Sequence, residues 1–194
     1  MVKEISSRII LASKSPRRRK LLSEAGYEFV VIPSDVEESV FSADGIKASE
    51  YAERLALAKA KSVASKHPDS IVIGADTVID LDGRIIGKPA DAKDAEQITE
   101  KLFSAPHKVI TGIAIVRCCD SIEMVDSDTT IIYPKKITAE QIFEHIKSES
   151  WQDKAGAYAI KETGDEFIEK IEGSLTNVMG MPMELLERIL RKIS

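Results

Sequence analysis

Along this chain, apolar runs of strand length alternate with stretches of helical periodicity, and two tight turns join strands directly. That combination admits few architectures. Arg8 to Ala12 reads as a short buried strand, followed by a polar turn and a helix from about Pro16 to Ala25, where Gly26 stops it. Glu28 to Ile32 gives a second strand, and Ala48 to His67 a long helix that ends at Pro68. Ser70 to Ile79 and Arg84 to Ile86 are strands around the hairpin turn Asp82-Gly83. Ala92 to Phe103 is helical, and Lys108 to Cys118 and Glu123 to Tyr133 are strands joined across Asp120 and Ser121. Thr138 caps a helix to about Lys147, Gly156 to Ile160 and Glu166 to Ile171 read as strands, and Pro182 opens a last amphipathic helix reaching Lys192. The interleaving predicts the α/β fold class, and the hairpins require antiparallel pairs within it, so the sheet is expected to be mixed. With 194 residues and no repeat, linker or low-complexity tract, residues 1–194 are read as one domain with two lobes.

Composition removes several classes of function. A formal charge of -5 disfavours wholesale attraction to nucleic acid, which depends on a basic face, and with aromatics at 5% no stacking platform for single strands accompanies the basic run Arg17 to Lys20. Runs such as Ile9 to Ala12 are far shorter than the roughly 20 residues of a bilayer crossing, and Met1 to Ser7 lacks the pattern of a secretory leader. A cytoplasmic protein is expected. The two cysteines, Cys118 and Cys119, are adjacent in an expected strand and point to opposite faces, while the three histidines show no metal-ligand spacing. Any metal is therefore expected to be a hard divalent cation held by carboxylates.

Against this background a few residues stand out. In Ser13-Lys14-Ser15-Pro16-Arg17-Arg18, Ser15 suits an N-cap and Pro16 the first helical position, so free backbone N–H groups converge there and favour an anion. Arg18 shares a helix face with Leu21, Leu22 and Ala25, which places its cation at the core edge and leaves Arg17 and Arg19 more exposed. A capped helix with solvated arginines is the plainer account of the same residues. Asp76 lies inside an apolar strand, Ile71-Val72-Ile73-Gly74-Ala75 on one side and Thr77-Val78-Ile79 on the other. A buried carboxylate is paired, metal-bound or kept for catalysis, and a satisfied structural aspartate is the bland alternative. Lys88, between Gly87 and Pro89, projects from a hairpin exit; Lys59 lies well along the long helix; Asp35, Glu37 and Glu38 follow the second strand. Singly, these read as solvated charges.

Together, Leu11-Ala12-Ser13-Lys14-Ser15-Pro16-Arg17-Arg18 with Leu21-Leu22, Gly74-Ala75-Asp76-Thr77, Gly87-Lys88-Pro89 and Asp153-Lys154-Ala155-Gly156-Ala157-Tyr158 resemble the Maf-like nucleotide pyrophosphatases in order and spacing. Gly173-Ser174 and Asn177-Val178-Met179-Gly180-Met181-Pro182 extend the resemblance over essentially the whole chain. It implies a curved mixed sheet flanked by helices, two lobes around a deep cleft, kinship with the inosine triphosphate pyrophosphatase fold, and a homodimer. It implies hydrolysis of a nucleoside triphosphate to monophosphate and pyrophosphate with magnesium or manganese. Ser13, Ser15 and Arg18 would hold phosphates, Lys59 and Lys88 would neutralise the triphosphate, Asp76 would act as general base, and Glu37 or Glu38 would help hold the metal. The pairing of Arg18 with Asp76-Thr77 resembles the subgroup acting on thymidine and uridine triphosphates, dTTP and UTP. That subgroup continues Ala-Tyr-Gly-Ile-Gln where this chain has Ala157-Tyr158-Ala159-Ile160-Lys161. A glutamine amide both donates and accepts, whereas Lys161 only donates, so weaker discrimination for uracil and thymine is expected.

Two other functions compete with hydrolysis. A catalytically weak nucleotide-binding regulator of cell division would need the cations but not an ionised base at Asp76. A nucleic-acid-binding module would rest on the Arg17 to Lys20 run, and the acidic, aromatic-poor composition opposes it.

Overall fold

In the computed structural model, which describes residues 8–152, 155–157 and 167–193, seven strands share one mixed sheet. They are β1 (Ile9–Leu11), β2 (Phe29–Val31), β3 (Ile71–Leu81), β4 (Arg84–Ile86), β5 (His107–Arg117), β6 (Ile122–Pro134) and β7 (Ile168–Glu172). Helices α1 (Pro16–Glu24), α2 (Ala48–Ala64), α3 (Ala92–Leu102), α4 (Ala139–Lys147), α5 (Leu175–Val178) and α6 (Met183–Leu190) accompany them. The strand order is β2-β1-β3-β5-β6-β7, with β4 beside β3; β1 runs parallel to β2 and β3, and every other pairing is antiparallel. The chain is therefore α/β with the expected mixed sheet, and among the described residues the sheet does not close.

The central strand is interrupted along one edge. β5 pairs with β3 from Val72 to Asp80, but on the opposite edge β1 reaches only Ile71 to Ile73, and β4 begins at Ile79. Gly74 to Val78 thus has no strand beside that edge among the described residues. The opening this leaves is where Asp76 and Thr77 sit.

Two glycines bring α2 onto the sheet. Ala52, Ala56 and Ala60 recur every four residues and are completely buried, forming a smooth ridge. A Cβ on Gly74 would lie 2.2 Å from the Ala56 carbonyl oxygen, and one on Gly112 would lie 2.5 Å from that of Ala52. Only glycine permits this approach, and it sets the depth from which Lys59 reaches the sheet. Across the sheet, Leu21 and Leu22 of α1 and Leu185, Leu186 and Ile189 of α6 pack with Leu11, Ile73, Ile113 and Met181. A third cluster gathers Ile79, Leu102, Phe103, Val109 and Ile132.

Two expectations need correction, and one element is added. Cys118 and Cys119 lie in the exposed turn between β5 and β6, where the ladder has ended and strand alternation no longer applies. Ala155–Ala157 forms a 3₁₀ turn rather than the start of a strand, and the remainder of the strand expected at Gly156 to Ile160 lies outside the described residues. The reason is local: Gly156 has φ 71°, and a Cβ there would fall 2.1 Å from Ile79 Cδ1. Its N–H donates to the Gly87 carbonyl at 3.0 Å, tying this turn to the segment that carries Lys88. The short helix α5, capped by Ser174, forms where the sequence pattern predicts no element.

Candidate active site

The site begins at the tip of α1. Ser15 accepts from the Arg18 N–H at 3.5 Å, and Pro16 occupies the first turn, as the sequence predicts. Arg18 turns toward the core with Leu21 and Leu22, both buried. Its Nη1 donates to Ser13 Oγ at 3.1 Å, its Nη2 to Thr77 Oγ1 at 3.0 Å, and its Nε to the Gly180 carbonyl at 2.7 Å. Gly180 fits there because it has φ 98° and no side chain against Thr77 and Arg18. Three of the five guanidinium N–H groups thus lock the arginine across the loop after β1, strand β3 and the segment after α5. Burial lowers the Arg18 pKa, with Asp76 opposing and Arg17 adding to the effect, and the group remains a cation.

A second cluster occupies the other face of β3. Lys59 Nζ donates to Asp76 Oδ1 at 2.6 Å and to Glu38 Oε1 at 2.7 Å, and Lys88 Nζ lies 3.4 Å from Glu38 Oε2. The Lys59 and Asp76 side chains are 9% and 10% exposed, against 52% for Lys88, so the inner pair carries the desolvation cost. That burial raises the Asp76 pKa above the ordinary aspartate range; Lys59 and Arg18 pull it down, but do not prevail. For Glu38 burial also pushes upward, yet the Lys59 and Lys88 ammonium groups outweigh it and hold the carboxyl below its usual value.

Both clusters face one cavity of about 790 Å³. It is lined by Ser13, Ser15, Arg18, Glu38, Lys59, Asp76, Thr77 and Lys88, so most of the candidate residues converge. Glu37 does not join them: it accepts from Ser39 Oγ at 2.8 Å and is exposed. Lys161 lies outside the described residues.

Arg17 corrects the sequence reading. It lines the cavity rather than standing in solvent, and its Nε is buried without a hydrogen-bond partner among the described residues. Burial lowers its pKa. Helical periodicity gives no signal for this, because the wall facing it comes from distant segments. Tyr51 also lines the cavity; it lies two turns before Lys59 on α2, a relation visible in the i, i+4, i+8 spacing. Its pKa is raised by burial, then by Asp76 and Glu38.

The donor set suits a hard divalent cation shared with a ligand. Glu38 and Asp76 both accept from the Lys59 ammonium, which brings two carboxylates to the same part of the cavity. No group of three or more His, Cys, Asp or Glu residues suited to a metal occurs among the described residues. Magnesium-type ions commonly take one or two carboxylates plus substrate phosphates, which matches this pair.

Comparison with known proteins shows the family. A family model described as Maf-like protein matches residues 8–193. A dTTP/UTP pyrophosphatase of Thermoanaerobacter sp. (strain X514) is 45% identical, with 95% of this chain and 96% of the relative covered. One from Alkaliphilus oremlandii (strain OhILAs) is 44% identical, with 94% of each chain covered. One from Ruminiclostridium cellulolyticum is 38% identical over 96% of both chains. The solved structure of the Staphylococcus aureus Ham1 protein shares the fold at a TM-score of 0.55 and 15% identity, covering 96% of this chain and all of that one. No helix among the described residues is long and apolar enough to cross a membrane. By sequence match along nearly its full length, this chain belongs to the Maf-like protein family.

Proposed function

We propose that this chain is a nucleoside triphosphate pyrophosphohydrolase that converts dTTP, UTP or related nucleotides, standard or modified, to the monophosphate and pyrophosphate. The observation that carries this reading is Asp76: a buried carboxylate with a raised pKa, in the same cavity as Arg17, Arg18, Lys59 and Lys88. Binding alone needs only the cations and donors; a carboxylate held at its desolvation cost suits a base. The relatives, named as dTTP/UTP pyrophosphatases, support the same activity.

In this reading the tip of α1, with Ser13, Ser15 and Arg18, receives phosphate oxygens, and Lys59 and Lys88 exchange their contacts with Glu38 for the triphosphate. Asp76 takes a proton from the attacking water as it approaches the α phosphorus, and its strand anchorage keeps it in line. Negative charge grows on the departing pyrophosphate, so fixed cations provide much of the acceleration. Glu38 and Asp76 would hold a magnesium or manganese ion, which when bound would stabilise charge on the phosphoryl oxygens. Glu37, turned toward Ser39, is the weaker candidate. The reading extends to residues 1–194 acting as one unit, in a cytoplasmic homodimer with no stable nucleic-acid or membrane partner.

The test is a pyrophosphate-release screen over standard and modified triphosphates with magnesium or manganese. Release from dTTP and UTP is expected. Silence across the panel, with nucleotide binding intact, would leave a nucleotide-binding regulator as the only reading.

A further inference from the structure

We infer that Thr111, which is fully buried and outside the cavity wall, is a positioning residue that governs base discrimination by fixing the hydrogen-bond polarity of Thr77. The inference rests on the nucleotide reading proposed above. Thr77 and Thr111 are direct cross-strand partners on β3 and β5, with their hydroxyl oxygens 3.0 Å apart. Arg18 Nη2 donates to Thr77 at 3.0 Å, and a guanidinium has no acceptor with which to reverse that bond. Thr111 donates to the Asn177 carbonyl at 2.9 Å, and a carbonyl has no proton to return. Each hydroxyl carries one proton. All three bonds form together only when Thr77 donates to Thr111, which commits the Thr77 proton to the protein interior. The end of this chain is itself fixed, because the buried Asn177 amide donates to the Val109 carbonyl at 3.0 Å and to Thr130 Oγ1 at 2.9 Å.

Thr77 therefore offers a ligand a lone pair and no proton. Strand alternation makes this relevant to the base. Asp76, Lys59 and Glu38 gather on one face of β3, whereas the Thr77 face continues as Ile79 and its cross-strand partner Val109. With Val178 and Met179 these form an apolar stretch of the cavity wall suited to a flat ring. Uracil and thymine present an N3–H between two carbonyls; cytosine presents a lone pair at N3. An acceptor-only hydroxyl welcomes the first pattern and opposes the second.

The test compares wild type with Thr111→Val, which keeps the side-chain size and removes the acceptor for the Thr77 proton, and with Thr111→Ser, which keeps the hydroxyl. Calorimetry with the α,β-methylene analogues of UTP and CTP gives Kd, and pyrophosphate release from UTP and CTP gives kcat/KM. Wild type and Thr111→Ser should favour uridine. In Thr111→Val the uridine-to-cytidine ratio should fall roughly tenfold in both readouts, mainly through a gain for cytidine, as expected of one redirected hydrogen bond. A valine variant that weakens both nucleotides equally, or a wild type without uridine preference, overturns the inference. Should the valine variant not fold, Thr111→Cys, a weak acceptor, must lower the ratio partway, and an unchanged ratio there overturns the inference equally. Absence of pyrophosphate release alongside a shifted Kd ratio refutes the hydrolytic reading alone.

Discussion

The two faces of β3 at the cavity handle polarity in opposite ways. On one face Asp76, Lys59, Glu38 and Lys88 form a network of full charges, two of them nearly removed from water. On the other, Thr77, Thr111 and Asn177 form a line of neutral donors and acceptors that ends on the Arg18 cation. The charged face is expensive to bury and titrates, so it suits proton transfer and phosphate exchange. The hydroxyl face does not titrate in the working range and fixes direction instead, which suits recognition. Residues adjacent in sequence thus enter different environments because a strand sends successive side chains to opposite sides.

The comparison breaks most visibly at Asp76. Asp76→Asn should lower pyrophosphate release roughly 100- to 10,000-fold, the range for loss of a general base, while calorimetry finds nucleotide affinity retained. Thr77→Val should change selectivity with a much smaller loss of rate. The next effect is structural. Gly74→Ala drives a methyl group to within 2.2 Å of the Ala56 carbonyl oxygen, and urea unfolding should report about 3 kcal/mol of lost stability as α2 lifts and carries Lys59 with it.

A pH profile sharpens the contrast further. Asp76 must be ionised to accept a proton and its pKa is raised, so kcat/KM should rise with pH through a limb lying above the ordinary aspartate value of 3.8. Lys59→Gln removes a charge that pulls this pKa down, and the limb should move to higher pH; Thr77→Val should leave it in place. A limb that stays fixed in Lys59→Gln would contradict the assignment. The smallest effect is expected at Lys161, where Lys161→Gln restores an amide able both to donate and to accept. Selectivity for UTP over CTP should then rise by up to roughly tenfold in the same release assay.

Much of this site is legible in the chain because its signals are local. Ser15 and Pro16 announce a capped helix, the spacing of Arg18 to Leu21 and Leu22 turns it inward, and a carboxylate within an apolar strand marks Asp76. Other features depend on contacts between distant segments. Glu37 and Glu38 are equivalent in sequence, and only the approach of α2 selects Glu38 through Lys59. Arg17 looks solvent-facing on its own helix, and becomes part of the wall because separate segments build the cavity around it. The 3₁₀ turn at Ala155–Ala157 arises where Gly156 meets Ile79 and Leu102, contacts that β-propensity along the segment does not register. The Thr77 to Thr111 link needs the register of β3 against β5, which no local pattern supplies.

The most direct test is to run the reaction in water labelled with oxygen-18 and to locate the label by mass spectrometry. Attack on the α phosphorus, prepared by Asp76, predicts one labelled oxygen in the nucleoside monophosphate and unlabelled pyrophosphate. Label in the pyrophosphate, or release of orthophosphate in its place, would contradict the account.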